Sequence, residues 1–183
     1  MAYLIGIALG DGNLSNPNGR AVRLRISCDA KYPMLIEEIM NSISSILPNN
    51  RVSKIIRKKY GCIDISTYSN YWEKILGWKC GNGSKIVQNV SIPKWIHNKP
   101  KYIIPCLRGL FQTDGSIYVD RGYTMVNFTN HTPQLSSEVF RLIEKIGYKP
   151  NLQTLKVKKG TKHVIRISKN SQEFIKTIGL WKK

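Results

Sequence analysis

The hydrophobic pattern of the chain is written twice. "LIGIALGDG", starting at Leu4, and "LRGLFQTDG", starting at Leu107, are continuous apolar runs of helical length that end in Asp-Gly. Each is followed by a run with period two, Val22, Leu24 and Ile26 in "AVRLRIS", Val126 and Phe128 in "YTMVNFT", which is the alternation of a half-buried strand. Amphipathic helices follow in "PMLIEEIMNSISSIL" and "PQLSSEVFRLIEKIG", the second opening at Thr132-Pro133 as a cap and first-turn proline. Two further strands are predicted around 52–59 and 62–67, and again around 153–158 and 163–168. A short helix then closes each half. The predicted order is αββαββα, twice, an α+β fold.

The repeat goes beyond the pattern. At an offset of 102, "IDISTYSNYWEKILG" (63–77) lies over "IRISKNSQEFIKTIG" (165–179), and Pro48-Asn49 lies over Pro150-Asn151. A repeat this long is a duplicated lobe rather than a solenoid unit. The reading divides the chain into an N-terminal lobe, 1–80, a connector, 81–103, and a C-terminal lobe, 104–183. The connector is rich in Gly, Asn, Ser and Pro. Its Ile92, Trp95 and Ile96 predict that it packs against the lobes.

Charge narrows the choice of partner. Lys and Arg number 29 against 11 Asp and Glu, a net +18 on 183 residues, which points to a polyanion and first of all to nucleic acid. The helical stretches are not basic, which argues against a membrane surface, and no run reaches the ~18 apolar residues of a membrane helix. The chain reads as soluble and intracellular. Cys28, Cys62, Cys80 and Cys106 are far apart with no C-x-x-C pair, so they read as reduced thiols rather than zinc ligands or disulfides.

The doubled motif asks for more than a core helix. Gly6 and Gly10, and Gly109 and Thr113, put small residues four apart on one face of each run, which lets two helix backbones approach closely about a pseudo-twofold axis. Glycine inside a helix costs about 1 kcal/mol relative to Ala, so the stripe needs a packing reason. Asp11 and Asp114 then fall at the negative ends of the two helices, where a carboxylate is unfavourable by roughly 0.3 to 1 kcal/mol. Gly12 and Gly115 behind them fit a left-handed cap. A divalent cation reverses that penalty, because carboxylates and the carbonyls of Gly10 or Thr113 are the hard oxygen ligands that Mg²⁺ takes.

At this point the chain resembles a known family. "LIGIALGDG" and "LRGLFQTDG", with "SIPKWI" leading into "CLRGLFQTDGSIY", resemble the paired motifs of the single-chain LAGLIDADG homing endonucleases, and the duplicated order covers essentially the whole chain. The resemblance implies a monomer of pseudo-dimeric symmetry. Its two antiparallel four-stranded sheets would form a saddle on double-stranded DNA around a paired central helix seam, reading a long asymmetric target site. It implies that Asp11 and Asp114 bind Mg²⁺ and each direct cleavage of one strand, leaving short 3′ overhangs. Mn²⁺ is expected to substitute, and Ca²⁺ to bind without supporting cleavage. A polar residue near the metals, usual in the family, would be Asn130 in the second lobe, whereas Cys28 stands at that place in the first. A basic residue near the scissile phosphates is also implied, and Lys169 is the candidate.

Strand alternation nominates the DNA-reading face. With Val22, Leu24 and Ile26 in the core, Arg23 and Arg25 face outward, as do Met125 and Asn127 opposite Val126 and Phe128. Asp64 and Ser66 are nominated with Arg166 and Ser168, while Lys54, Lys58, Lys156 and Lys158 add positive charge. Arg reads guanine, Asn reads adenine and Lys mostly meets phosphate. Other nuclease chemistries fit poorly: His97, His131 and His163 are scattered, and a site built on Asp11, Asp29 and Lys31 leaves the second Asp-Gly unexplained. A catalytically silent DNA-binding protein and an RNA intron maturase on the same scaffold remain as alternatives.

Overall fold

The computed structural model describes residues 1–158 and 160–181. Each lobe has the predicted order: α1 (Ala2–Asp11), β1 (Gly12–Ser15), β2 (Arg23–Asp29), α2 (Pro33–Ile46), β3 (Ser53–Arg57), β4 (Cys62–Tyr68) and α3 (Trp72–Leu76), then α4 (Pro100–Asp114), β5 (Gly115–Asp120), β6 (Tyr123–Asn130), α5 (Pro133–Lys145), β7 (Asn151–Val157), β8 (Gly160–Ile167) and α6 (Ser171–Ile178). The sheets are antiparallel, in the orders β1-β2-β4-β3 and β5-β6-β8-β7. Helix α4 starts inside the stretch read as connector.

The helices cover one face of each sheet and leave the other open. On β2 the buried positions are Leu24, Ile26 and Cys28, with Arg23, Arg25 and Ser27 on the open side, the period-two pattern of a half-covered sheet. On β6 the same holds for Val126 and Phe128 against Met125 and Asn127. Helix α1 is buried from Ala2 to Leu9 on all sides, because it lies between the lobes rather than on a surface. Ile92 and Ile96 of the connector are buried as expected, while Trp95 keeps 38% of its surface exposed and stacks edge-on against Tyr102.

Sheet register corrects the overlay at offset 102. Gly12 pairs with Ile26 and Ile26 with Ile65; in the second lobe Gly115 pairs with Phe128 and Phe128 with Ile165. The structural counterpart of Ile165 is therefore Ile65, not Ile63. The slip is two residues, so every side chain stays on its assigned face.

Two ties complete the frame, one between the lobes and one to the connector. Arg108 of α4 bridges Glu38 of α2 at 2.6 Å and lies over the Tyr3 ring, 4.6 Å from its centroid. Glu138 of α5 accepts a 2.6 Å bond from the Ile92 backbone and so anchors the connector. No helix among the described residues is long and apolar enough to cross a membrane.

Candidate active site

The two motif helices cross on their glycines. A Cβ on Gly6 would stand 2.2 Å from the Cys106 carbonyl oxygen, and one on Gly109 would stand 2.4 Å from that of Tyr3. Further along, Gly10 is packed under Thr113, whose Oγ1 would lie 2.0 Å from an added Cβ. Because Gly10 meets Thr113, the next residues, Asp11 and Asp114, come out at the same end of the seam.

The glycines after the acids have a different purpose from the one expected. Gly12 (φ −77°, ψ 145°) and Gly115 (φ −92°, ψ 157°) are extended, not left-handed. What they lack is room: a Cβ would lie 2.4 Å from the Ala8 or Phe111 carbonyl oxygen as the chain turns directly from helix into strand. The left-handed caps belong to the closing helices, at Gly77 (φ 86°) and Gly179 (φ 63°).

The second lobe's acid has an orienting partner. Asn130 Nδ2 donates to Asp114 Oδ2 at 2.7 Å, and Asn130 Oδ1 accepts from the Thr132 backbone at 2.8 Å, which fixes the amide's direction. Cys28 occupies the matching place in the first lobe, opposite Ile63 on β4 as Asn130 is opposite His163 on β8. Its thiol is pushed up to about 12 by burial and then by the charges of Asp11, Asp64 and Cys62, so it stays protonated. A cleft of about 260 Å³ opens beside Asp114, lined among others by Lys85, Thr129, Asn130 and His131.

The basic residue at the site is Lys85, which the sequence reading did not single out. Its Nζ donates to the carbonyls of Leu9 (2.7 Å), Ala8 (3.3 Å) and Gly10, the open end of α1. Burial lowers its pKa, and the nearby Asp114 and Asp11 carboxylates oppose that shift. Gln88 positions the loop that carries it, accepting from the Lys79 backbone at 2.8 Å and donating to the Lys79 and Gly83 carbonyls at 2.9 and 3.1 Å. Lys169 lies at the wrong end of the sheet. It sits two residues before Ser171, whose hydroxyl is tied to the Thr124 carbonyl. Thr124 and Asn130 stand near opposite ends of β6, roughly 20 Å apart at a strand rise of ~3.3 Å per residue.

The seam end suits a hard cation. It offers two carboxylates, helix-terminal carbonyls and the dipole ends of two helices, and Lys85 already places a positive charge there. Among the described residues no group of three or more His, Cys, Asp or Glu side chains could hold a metal alone. A bound ion would draw its remaining ligands from water and substrate, as Mg²⁺ ordinarily does.

The open faces hold most of the nominated residues. Arg25 is opposite Ser66, and at the corresponding place Asn127 is opposite Arg166. Arg25 Nε, Arg166 Nε and Asn127 Oδ1 are buried without hydrogen-bond partners, while Asn127 Nδ2 reaches the Tyr118 hydroxyl at 3.3 Å. Lys54 and Lys156 depart from the expectation. They pair with Ile65 and Thr161, so each stands on the helix-side face of its edge strand. Lys58 and Lys158 are exposed at the hairpin tips, and Ser168 is exposed just past β8. Asp64 is on the open face but is only 3% exposed, spent on Ser27 and Arg57.

Comparison with known proteins agrees with this geometry. Residues 102–179 match the family model of the LAGLIDADG-like domain, and residues 1–63 match the WhiA LAGLIDADG-like domain. The structure of I-DmoI in complex with DNA and Mn superposes with a TM-score of 0.70 at 17% identity, over 97% of this chain and 94% of that one. The N-terminal LAGLIDADG domain of DUF199/WhiA gives 0.64 at 16% identity, over 98% and 82%. A DNA polymerase of Thermococcus hydrothermalis is 32% identical over 150 residues, 79% of this chain and 8% of the polymerase. A DNA polymerase of Thermococcus sp. (strain GE8) is 28% identical over 190 residues, 96% of this chain and 10% of the polymerase. The chain thus spans a tenth or less of the length of these curated relatives. With one domain match in each lobe and the two motif helices paired at the centre, the chain is a two-motif LAGLIDADG protein.

Proposed function

We propose that this protein is a site-specific, metal-dependent DNA endonuclease that cuts one phosphodiester on each strand of a bound duplex. One observation carries the reading: the glycine seam delivers an acid from each lobe to a single end of the paired helices, between two open sheet faces. Net charge of +18 and the polar Arg23, Arg25, Asn127 and Arg166 side chains on those faces support a polyanionic ligand read by hydrogen bonds. The I-DmoI structures, solved with target DNA and with Mn, Ca or Mg, support the same partner and cofactor class. The short match inside two DNA polymerases supports an element carried within a host gene, as an intein-borne endonuclease would be.

Asp11, Asp114 and the Thr113 carbonyl would hold the divalent ions, with the Gly10 carbonyl shared with Lys85. Such ions activate water and stabilise the leaving oxygen. Asn130 holds the Asp114 carboxylate in one orientation, and Lys85, rather than Lys169, keeps a positive charge beside the scissile phosphates. Arg23, Arg25, Met125, Asn127 and Arg166 face the bases, and Lys58, Lys158 and Ser168 approach the backbone. Lobes 1–80 and 104–183 each take one half-site, and the connector 81–103 brings Lys85 to the centre.

Cys28 beside Asp11, together with the WhiA-type match of the first lobe, supports a second reading, a binder that does not cut. Incubation with a randomised plasmid library in Mg²⁺, and in Ca²⁺ as a binding control, tests both. Linearised plasmids sharing one sequence are the expected result. Sequence-selective binding without cleavage in Mg²⁺ would leave the non-cutting reading, and selective retention of structured RNA alone would leave the maturase.

A further inference from the structure

Asp64 is a buried carboxylate on a face that otherwise gathers positive charge. One oxygen accepts from Ser27 Oγ at 2.6 Å and the other from Arg57 Nε at 2.5 Å. The two partners differ in exposure: the Asp64 side chain is 4% exposed, that of Arg57 45%. Register explains the meeting. Ser27 and Ile55 flank Asp64 directly on β2 and β3, and Arg57 reaches in from its place opposite Cys62, two residues along. With Nε engaged, the guanidinium is held at one end, and the 45% exposure of the side chain leaves its terminal amino groups for a ligand. Those two groups are the fork that matches guanine O6 and N7 in a major groove.

The second lobe has no such device. By register Ser27, Asp64 and Arg57 correspond to Thr129, Val164 and Leu155. An apolar pair stands where the first lobe has an ion pair. The position lies near the cleavage centre, since Ser27 precedes Cys28, which feels the Asp11 charge.

We propose that Arg57 is a specificity-determining residue that requires guanine at the inner end of the first half-site, with Asp64 as the positioning residue that holds its fork, and that the symmetry-related position of the second half-site carries no guanine requirement. This rests on the DNA-binding reading above. A phosphate contact by Arg57 is the competing role, and it would leave a different signature. Phosphate contacts change affinity uniformly and alter salt dependence, whereas base contacts change one position of the site.

The experiment is selection of duplexes from a randomised library by the full chain in Ca²⁺, for the wild type, Arg57→Lys, Arg57→Ala and Asp64→Asn. The wild type is expected to select one invariant guanine near the centre of one half only, and replacing that G·C pair should weaken binding roughly tenfold to hundredfold. Arg57→Lys keeps the charge but not the fork, and should reduce that discrimination to roughly threefold or less while other positions stand. Asp64→Asn should loosen the same position alone, an effect that a merely structural role would spread across the half-site. The assignment is overturned if Arg57→Lys leaves every position intact, or if Arg57→Ala weakens all sequences alike with a shallower salt dependence. A wild type that selects no sequence at all would instead remove the DNA-binding reading on which it stands.

Discussion

Asn130 donates a 2.7 Å hydrogen bond to Asp114, whereas the residue in the same place beside Asp11 is Cys28, a buried thiol that stays protonated. The duplicated site is therefore chemically unequal. An amide that fixes a carboxylate's orientation matters to a metal-binding acid, and loss of such outer partners costs typically ~10- to 100-fold in activity or metal affinity. Asn130→Ala should slow cleavage of the strand served by Asp114 by about that factor and leave the other strand near its wild-type rate, so nicked plasmid accumulates. Strand-specific end labels over a time course measure it; equal slowing of both strands would show that Asn130 does not belong to one half-site.

The seam makes a prediction about stability. Glycine in a helix is ordinarily improved by Ala by about 1 kcal/mol, yet at Gly6 the added Cβ would meet the Cys106 backbone oxygen at 2.2 Å, and backbone cannot rotate away. Gly6→Ala and Gly109→Ala should each destabilise by about 1 to 3 kcal/mol net, the ordinary cost of overpacking a close interface. The comparison that decides the cause is Gly10→Ala, which meets the Thr113 side chain. Paired with Thr113→Gly, which removes both the Oγ1 at 2.0 Å and the Cβ at 2.6 Å, and compared with Thr113→Gly alone, it should recover most of its loss in urea denaturation, whereas no side-chain truncation on α4 should rescue Gly6→Ala.

The repeat made the seam, the shared end at which Asp11 and Asp114 emerge, and the order of elements legible, because a two-copy pattern sets a paired helix apart from a lone core helix without any structure. Lys85 was hidden for a physical reason. It sits in an aperiodic loop, and its contacts to Ala8 and Leu9 span more than seventy residues, so no local pattern reports it. Lys169 was nominated on its place at a strand end, and the antiparallel register put that end far from Asp114. Asp64 was placed on the correct face by parity, but alternation says nothing about which neighbour a carboxylate will hold. Only the β3–β4 pairing brings in Arg57. The glycines after the acids were explained by conformation when the cause was crowding against a carbonyl.

Lys85 and Lys169 can be told apart by function. Lys85→Ala removes a side-chain donor to three terminal carbonyls of α1 and a basic group that interacts with both acids. A charge placed where the transition state becomes more negative is worth roughly 10²- to 10³-fold, so cleavage should fall by about that much for Lys85→Ala and change little for Lys169→Ala. Binding of duplex in Ca²⁺ should persist in both variants. Strong loss of cleavage in Lys169→Ala with Lys85→Ala active would reverse the assignment.

Asp64 also sets an acid limit on the first lobe. Burial works against its ionisation, but the bonds from Ser27 and Arg57 and the charges of Arg57 and Arg25 outweigh that and hold its pKa below the ordinary carboxylate value. A carboxyl depressed in the folded state contributes stability that is complete above its unfolded pKa of about 4 and is lost as pH falls through the lower, folded value. Asp64→Asn keeps the shape, cannot ionise, and replaces charged hydrogen bonds worth about 1.5 to 3 kcal/mol with weaker ones. At neutral pH the variant should therefore be the less stable protein by a part of that amount. The gap should stay constant down to about pH 4 and shrink below it, because the wild type there takes up the proton that makes its side chain resemble the variant's. Asp29 and Glu73, whose pKa values are also lowered, titrate in both proteins and cancel in the difference. Urea denaturation of the pair between pH 7 and pH 2.5 gives the curve, and a gap that widened on acidification would mean that Asp64 is held against its charge rather than by it.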